Sequence, residues 1–255
     1  MQFDWQPYLT VATIGLVFAG LEHLIPARRP PAFTWRRYLT DFLHVSVGGI
    51  AIRVGATAAI YFILIRTGTI QGTTHLPLWF QVAVVLVLSD LMFWIAHRLC
   101  HAIPWLWEFH RIHHSSEHLD WLAAYRVHPV DQIFNSTLIA LPALLMGFSP
   151  VAILVYGVIY QWHANLLHSN IRVALGPFAR IVTGPQFHHW HHADQPEAYD
   201  RNFGGQLVIW DRLFGTAFEP ASPRPERPER YGVDDPPREN FVVHLVAPFL
   251  RRHLQ

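Results

Sequence analysis

Three histidine clusters set the problem this chain has to solve. The first is His97-Arg98-Leu99-Cys100-His101 and the second His110-Arg111-Ile112-His113-His114. The third, far along the chain, is His188-His189-Trp190-His191-His192. A helix turns about 100° per residue, so His97 and His101 stand one turn apart on one face. His110, His113 and His114 fall within about 100° of one another, and His188, His191 and His192 repeat that spacing. One HxxxH is weak in a chain with 18 histidines, but three ordered clusters are specific. Any fold that gathers them offers eight imidazoles. Neutral imidazole suits zinc, copper, iron and nickel. Eight nitrogens exceed what one tetrahedral ion uses, and two ions with four or five nitrogens each match the count better.

The surrounding sequence belongs to the membrane class. Hydrophobic residues make up 51% of the 255 and charged residues only 15%, against about a quarter charged in soluble domains. Tyr8 to Ile25, Phe42 to Ile65 and Leu78 to Ala96 read as spans, each close to the 20 or so apolar residues a bilayer needs. Met1 to Gln6 lacks a positive region and includes Asp4, so the first run is expected to stay as a span rather than act as a signal peptide. Arg53 lies inside the second run and is expected to face protein or water. Residues 130–148 and 151–167 form two further apolar runs. The Gly147-Phe148-Ser149-Pro150 joint makes them a helical hairpin whose first arm Pro142 shortens or kinks. The hairpin returns His163 and His168 to the face of the clusters. Arg28, Arg29, Arg36 and Arg37 lie between the first two spans, while 67–77 carries no basic residue. This asymmetry puts the first loop, and the histidines, on the cytosolic side.

The fold class expected is therefore all-α integral membrane. It is a single domain over 1–255, with about four to five membrane helices, two of them a hairpin, under a cytosolic histidine-rich metal cap. Residues 219–240 read as a Pro-rich extended loop. Phe241, Val242, Leu245, Val246, Phe249 and Leu250 then recur as the apolar face of an amphipathic helix, packed on the body or lying on the membrane surface. Trp94, Trp105, Trp107, Trp121 and Trp190 suit a membrane-interface belt. The one cysteine, Cys100, reads as a small packing residue, and no disulfide is available within the chain. Nothing points to nucleic acid.

From about Ser89 to Phe218, roughly half the chain, the sequence resembles the fatty acid hydroxylase/sterol desaturase superfamily of membrane histidine-ligated di-iron oxygenases. The likeness rests on Asp90-x3-Trp94-x2-His97-Arg-x2-His101, Trp107-x2-His110-x2-His113-His114 and Arg126-x-His128-Pro129. It continues through His168-Ser-Asn170, the third cluster, Asn202-Phe-Gly and Trp210-Asp-Arg-Leu-Phe-Gly-Thr216. The resemblance implies two iron ions, O2 as cosubstrate, and hydroxylation or desaturation of a lipid. By position it makes His97, His101, His110, His113, His114, His188, His191 and His192 metal ligands. His168 and His163 are added from the segment before the third cluster, where the usual HxxxH is replaced by His163-x4-His168. His189 is out of phase, and His23, His44, His75, His118, His244 and His253 read as ordinary.

A liganding imidazole donates its other N–H to a carboxylate or carbonyl. Asp90, Asp194 and Asp211 are candidates for that role. Asn202 is a candidate to bind a metal-linked water, and His128 to hydrogen-bond at the site or to pack. The metals would carry the difficult step. The chain has no CxxCH, no four-cysteine spacing and no GxGxxG, so electrons are expected from a separate ferredoxin, cytochrome or reductase. Two rivals stand beside this reading. A membrane zinc hydrolase would want HExxH or a glutamate within a cluster, and neither is present. A non-enzymatic metal-binding or transport protein would want ionisable residues along a midplane path.

Overall fold

The computed structural model describes residues 6–29, 33–49, 52, 55, 56, 59, 60, 62, 63, 73–220 and 227–250. Among these there are helices and no strand. Isolated bridges between Pro26 and Ile171, Val182 and Leu207, and Ala193 and Tyr231 pin the loops. The α-helices are α1 (Gln6–Leu24), α2 (Trp35–Leu43, continued by a π-turn His44–Gly48), α3 (Leu78–Ala102) and α4 (Pro104–His114). They continue with α5 (Pro129–Leu145), α6 (Pro150–His168), α7 (Pro185–His191), α8 (Ile209–Leu213) and α9 (Phe241–Leu250). A 3-10 turn, Trp121–Tyr125, lies between α4 and α5.

α3 organises the rest. Its 25 residues reach a mean hydropathy of 2.0, and it is the one helix among the described residues long and apolar enough to cross a membrane. At 1.5 Å per residue it spans roughly 37 Å, more than the hydrocarbon core of about 30 Å. His97 and His101 sit in its last two turns. Ile103 is extended, as a residue before proline must be, and Pro104 opens α4 at its first position, where no N–H is missed. This bend turns the second cluster back over the first.

The hairpin forms with nearly the boundaries the sequence sets. His128 caps α5 by accepting from Val130 N, and Ser149 caps α6 by accepting from Ala152 N. Gly147 takes a φ of 65°, the left-handed conformation that glycine adopts without penalty. Pro142 does not break α5. It falls in the last turn, where its missing N–H costs one bond near an end that frays anyway. Val85 of α3, Ile139 and Ala143 of α5, and Phe148 and Tyr156 of the turn and α6 make the core between these helices. α1 packs on α6 through Ile14 and Phe18. Gly15 lets the 3-10 turn come up against α1, because a Cβ there would come within 2.6 Å of the Trp121 ring.

Of the second expected span, residues 50, 51, 53, 54, 57, 58, 61, 64 and 65 lie outside the described residues, Arg53 among them. α2, which leads into that span, is polar and braced by Arg126. Arg126, 1% exposed, donates to Asp41 Oδ1 at 2.7 Å and Glu239 Oε2 at 2.9 Å.

The tryptophan belt needs correction at two of its five members. Trp94 and Trp190 are buried, Trp94 stacked on Phe214 and Trp190 edge-on to Phe218, because the cap needs large side chains of its own. α9 packs on the body through one face and leaves an apolar face open, as a helix lying on a membrane surface also would. Phe241, His244 and Pro248 go inside, while Val242, Val246, Phe249 and Leu250 are exposed. His244 directs the rotation: its Nδ1 lies 3.1 Å from His44 Nε2 in a buried pair.

Candidate metal centre

The fold gathers nine histidines into two groups. His97, His101, His110, His114 and His191 form one, and His113, His168, His188 and His192 the other. Within each group, one nitrogen from every ring lies within 4.8 Å of the rest. α3 supplies two rings, α4 three and α6 one; α7 and its C-terminal residue supply three. The groups adjoin, with the His114 and His192 rings stacked at 4.4 Å between centroids.

Hydrogen bonds on the outer nitrogens fix the tautomers. Nδ1 of His97 lies 2.9 Å from the Phe203 carbonyl, that of His113 3.2 Å from Arg126 O, that of His168 2.8 Å from Ala164 O, and that of His191 2.7 Å from Arg201 O. A carbonyl oxygen only accepts, so each Nδ1 carries the hydrogen and each Nε2 presents a lone pair inward. Nε2 of His97, His110 and His191 is buried without a hydrogen-bond partner. Nε2 of His168 lies 3.1 Å from Nε2 of His113 and 3.0 Å from Nε2 of His188. His168 and His113 both turn lone pairs to each other, so their contact cannot be a hydrogen bond. A cation between them would resolve it, since each ring could then give its inward lone pair to a shared ion. The residues present therefore fit two metal ions.

Burial first, then neighbouring imidazoles, holds His113, His114, His188 and His192 well below the ordinary histidine range, and burial lowers His191 to about 3. These rings are neutral at pH 7, the state a metal requires.

The expected carboxylates act at one remove. Asp90 accepts from Gln206 N at 2.6 Å, Leu207 N at 2.9 Å and Trp210 Nε1 at 2.9 Å. Asp211 accepts from Phe203 N, Gly204 N, Trp94 Nε1 and Thr216 Oγ1. Together they shape the 202–211 loop, whose Phe203 carbonyl then orients His97. Asn202 does not offer its side chain to a metal-linked water. Its Nδ2 donates to Phe187 O and Phe218 O, and its Oδ1 accepts from Phe218 N. Asp194 is engaged by Tyr199 and Arg230, away from both groups. His128 caps α5 and contacts Leu245 O. His163 does not join either group, because its Nε2 lies 2.8 Å from Thr183 O. His189 pairs with the Tyr231 hydroxyl at 2.7 Å.

Two carboxylates that do reach imidazoles were missed in the sequence. Asp131, 3% exposed, sits 3.1 Å from His110 Nδ1 and is held by Asn135 Nδ2 and by the Cys100 thiol. Asp200 lies 3.1 Å from His101 Nδ1. For Asp131 the available signal was an acidic residue in the first turn of an apolar helix, two residues after Arg126-x-His128-Pro129.

A cavity of about 860 Å³ reaches the centre. His97 of one group and His113, His168 and His188 of the other form part of its wall; α1, the 3-10 turn and α6 supply much of the remainder.

The model of the family described as Fatty acid hydroxylase matches residues 82–216. The chain belongs to the fatty acid hydroxylase family. All nine gathered histidines fall inside the matched region. The chain is 29% identical to the ornithine lipid hydroxylase OlsE of Rhizobium tropici, over 99% of this chain and 78% of that protein. It is 37% identical to the alkylglycerol monooxygenase of Danio rerio over 52% of this chain, and 30% identical to that of Caenorhabditis elegans over 58%. The aligned regions make up 29% and 28% of those two longer relatives. No solved structure matches.

Proposed function

We propose that this protein is a membrane-bound di-iron monooxygenase that hydroxylates a lipid. The observation that carries the reading is the adjoining pair of imidazole groups, five and four, set in the wall of a lipid-sized cavity. Bound iron would supply O2 activation, with the balance RH + O2 + two electrons + two protons giving ROH + H2O. The chain's own groups do the rest. The carbonyls of Phe203, Arg126, Ala164 and Arg201 and the carboxylates of Asp131 and Asp200 hold the rings with Nε2 inward. The buried cap keeps bulk water from the centre, and the cavity brings the C–H bond beside His97, His113, His168 and His188.

Relatives named as hydroxylases and monooxygenases favour hydroxylation over desaturation. The length of α3 favours a centre at the edge of the bilayer, since His97 lies roughly 28 Å along it from Leu78. The arginine-rich first loop favours the cytosolic side, where a separate ferredoxin, cytochrome or reductase would dock. A zinc hydrolase is disfavoured by the carboxylates: Asp131 and Asp200 are both engaged on outer Nδ1 atoms, which leaves neither as a base for water.

The test is growth of cells with and without the gene under 18O2, followed by mass spectrometry of the membrane lipids. The reading expects a lipid heavier by one 18O only where the gene is present. Lipid profiles that do not differ, or a hydroxyl carrying oxygen from water, would refute it.

A further inference from the structure

The cavity at the centre is not wholly apolar. Tyr125 and, on α6, Tyr160 and Gln161 border it, among side chains such as Val11, Leu122 and Leu167. The Tyr125 hydroxyl accepts from Gln161 Nε2 at 3.2 Å and from Asn165 Nδ2 at 3.3 Å. Asn165 Nδ2 also donates to the Gln161 carbonyl at 2.8 Å, which fixes the way that amide faces. With the Gln161 amide oriented as it is here, both lone pairs of Tyr125 are taken and its own proton has no acceptor among the described residues. The Tyr160 hydroxyl has no hydrogen-bond partner among the described residues. Its ring packs on Phe93 at 6.2 Å, and Phe93 packs on His97 at 5.1 Å. Two phenolic donors thus border one cavity with nothing described on the protein to accept them. An unmet donor in an apolar setting is costly, so such a pair persists where a ligand accepts.

We propose that Tyr160 and Tyr125 read an oxygen acceptor on the substrate. The cavity then selects a lipid with an ether, ester or amide oxygen in its chain over a plain hydrocarbon of equal length. This rests on the reading of the cavity as the substrate's. Tyr160 lies eight residues before His168 on α6, about 12 Å along the axis. Tyr125 precedes Arg126, whose carbonyl orients His113. The acceptor is therefore held at a set distance from the centre, and that distance selects the carbon presented to it. The two tyrosines are specificity-determining residues, outside the metal-binding set.

Hexadecyl methyl ether and octadecane make a matched pair of probes, differing by one oxygen in place of one methylene. Binding of each radiolabelled probe to the metal-loaded protein in detergent micelles gives the two affinities. The wild type is expected to bind the ether about tenfold more tightly, the worth of one or two hydrogen bonds. Tyr160→Phe and Tyr125→Phe should each reduce the preference and together erase it, with octadecane affinity unchanged. Equal affinities in the wild type, or a preference that survives the double variant, would overturn the proposal and leave water as the partner of the phenols. Because the readout is binding, it is separate from turnover. Ether preference without oxygen incorporation would sink the monooxygenase reading and leave this one standing.

Discussion

His110 shows how a single ring is set. Its Nε2 points into a group of five nitrogens because Asp131 holds Nδ1, and Asp131 is itself held by Asn135 and Cys100. Loss of such an outer partner typically costs 10–100-fold in metal affinity. Asp131→Ala should therefore lose iron about 10–100-fold more readily on dialysis against chelator, read by elemental analysis, while retention equal to wild type would remove Asp131 from this role. A second contrast separates neighbours on α6. His168→Gln should lose the ion of the four-nitrogen group, and His163→Gln should keep both, since His163 is spent on Thr183. At this scale the ligands were legible because each cluster is local and helical spacing puts its rings on one face. Asp131 was not, since a lone carboxylate in an apolar run reads as a helix-end residue. The carbonyls that fix the tautomers were invisible, since every residue has one.

Among the elements, the 200–216 loop does the positioning. Asp200 and Asn202 adopt φ of 55° and 60°, an uncommon region for residues other than glycine, and Asp211 holds the loop with four accepted hydrogen bonds. Asp211→Ala would leave those buried donors unmet, a loss of about 3 kcal/mol or more, measurable as a lower denaturation midpoint; an unchanged midpoint would show the loop is held otherwise. α9 docks through the buried His244, whose pKa is lowered to about 3 by burial and then by Arg126. A folded-state value below the unfolded one, about 6.5, means stability is whole above pH 6.5. It is lost as the pH falls toward 3, because the unfolded chain takes up the proton first. The melting temperature should fall over that window less steeply in His244→Asn than in the wild type, and parallel curves would argue against the pair. Gly147 and Pro150 made the hairpin readable, whereas Pro142 suggested a break that its place in the last turn of α5 avoids. The buried face of α9 was not readable, because periodicity shows that a face is apolar and not whether anything covers it. Here a polar pair, His44 with His244, decided the rotation.

For the whole molecule, the sequence demanded that residues 188–192 return to 97–114, and the chain does this with a bend at Ile103-Pro104, a hairpin and a capping loop. What spacing could not say is how nine rings divide between two sites; that depends on four elements meeting at angles set by packing. The account stands on two ions held by those rings. Iron content and Mössbauer spectra of the full-length protein, purified from iron-supplemented cells, test this directly. The prediction is two iron ions per chain in distinct nitrogen-rich environments, and a single ion per chain, or zinc bound with no uptake of iron, would contradict it.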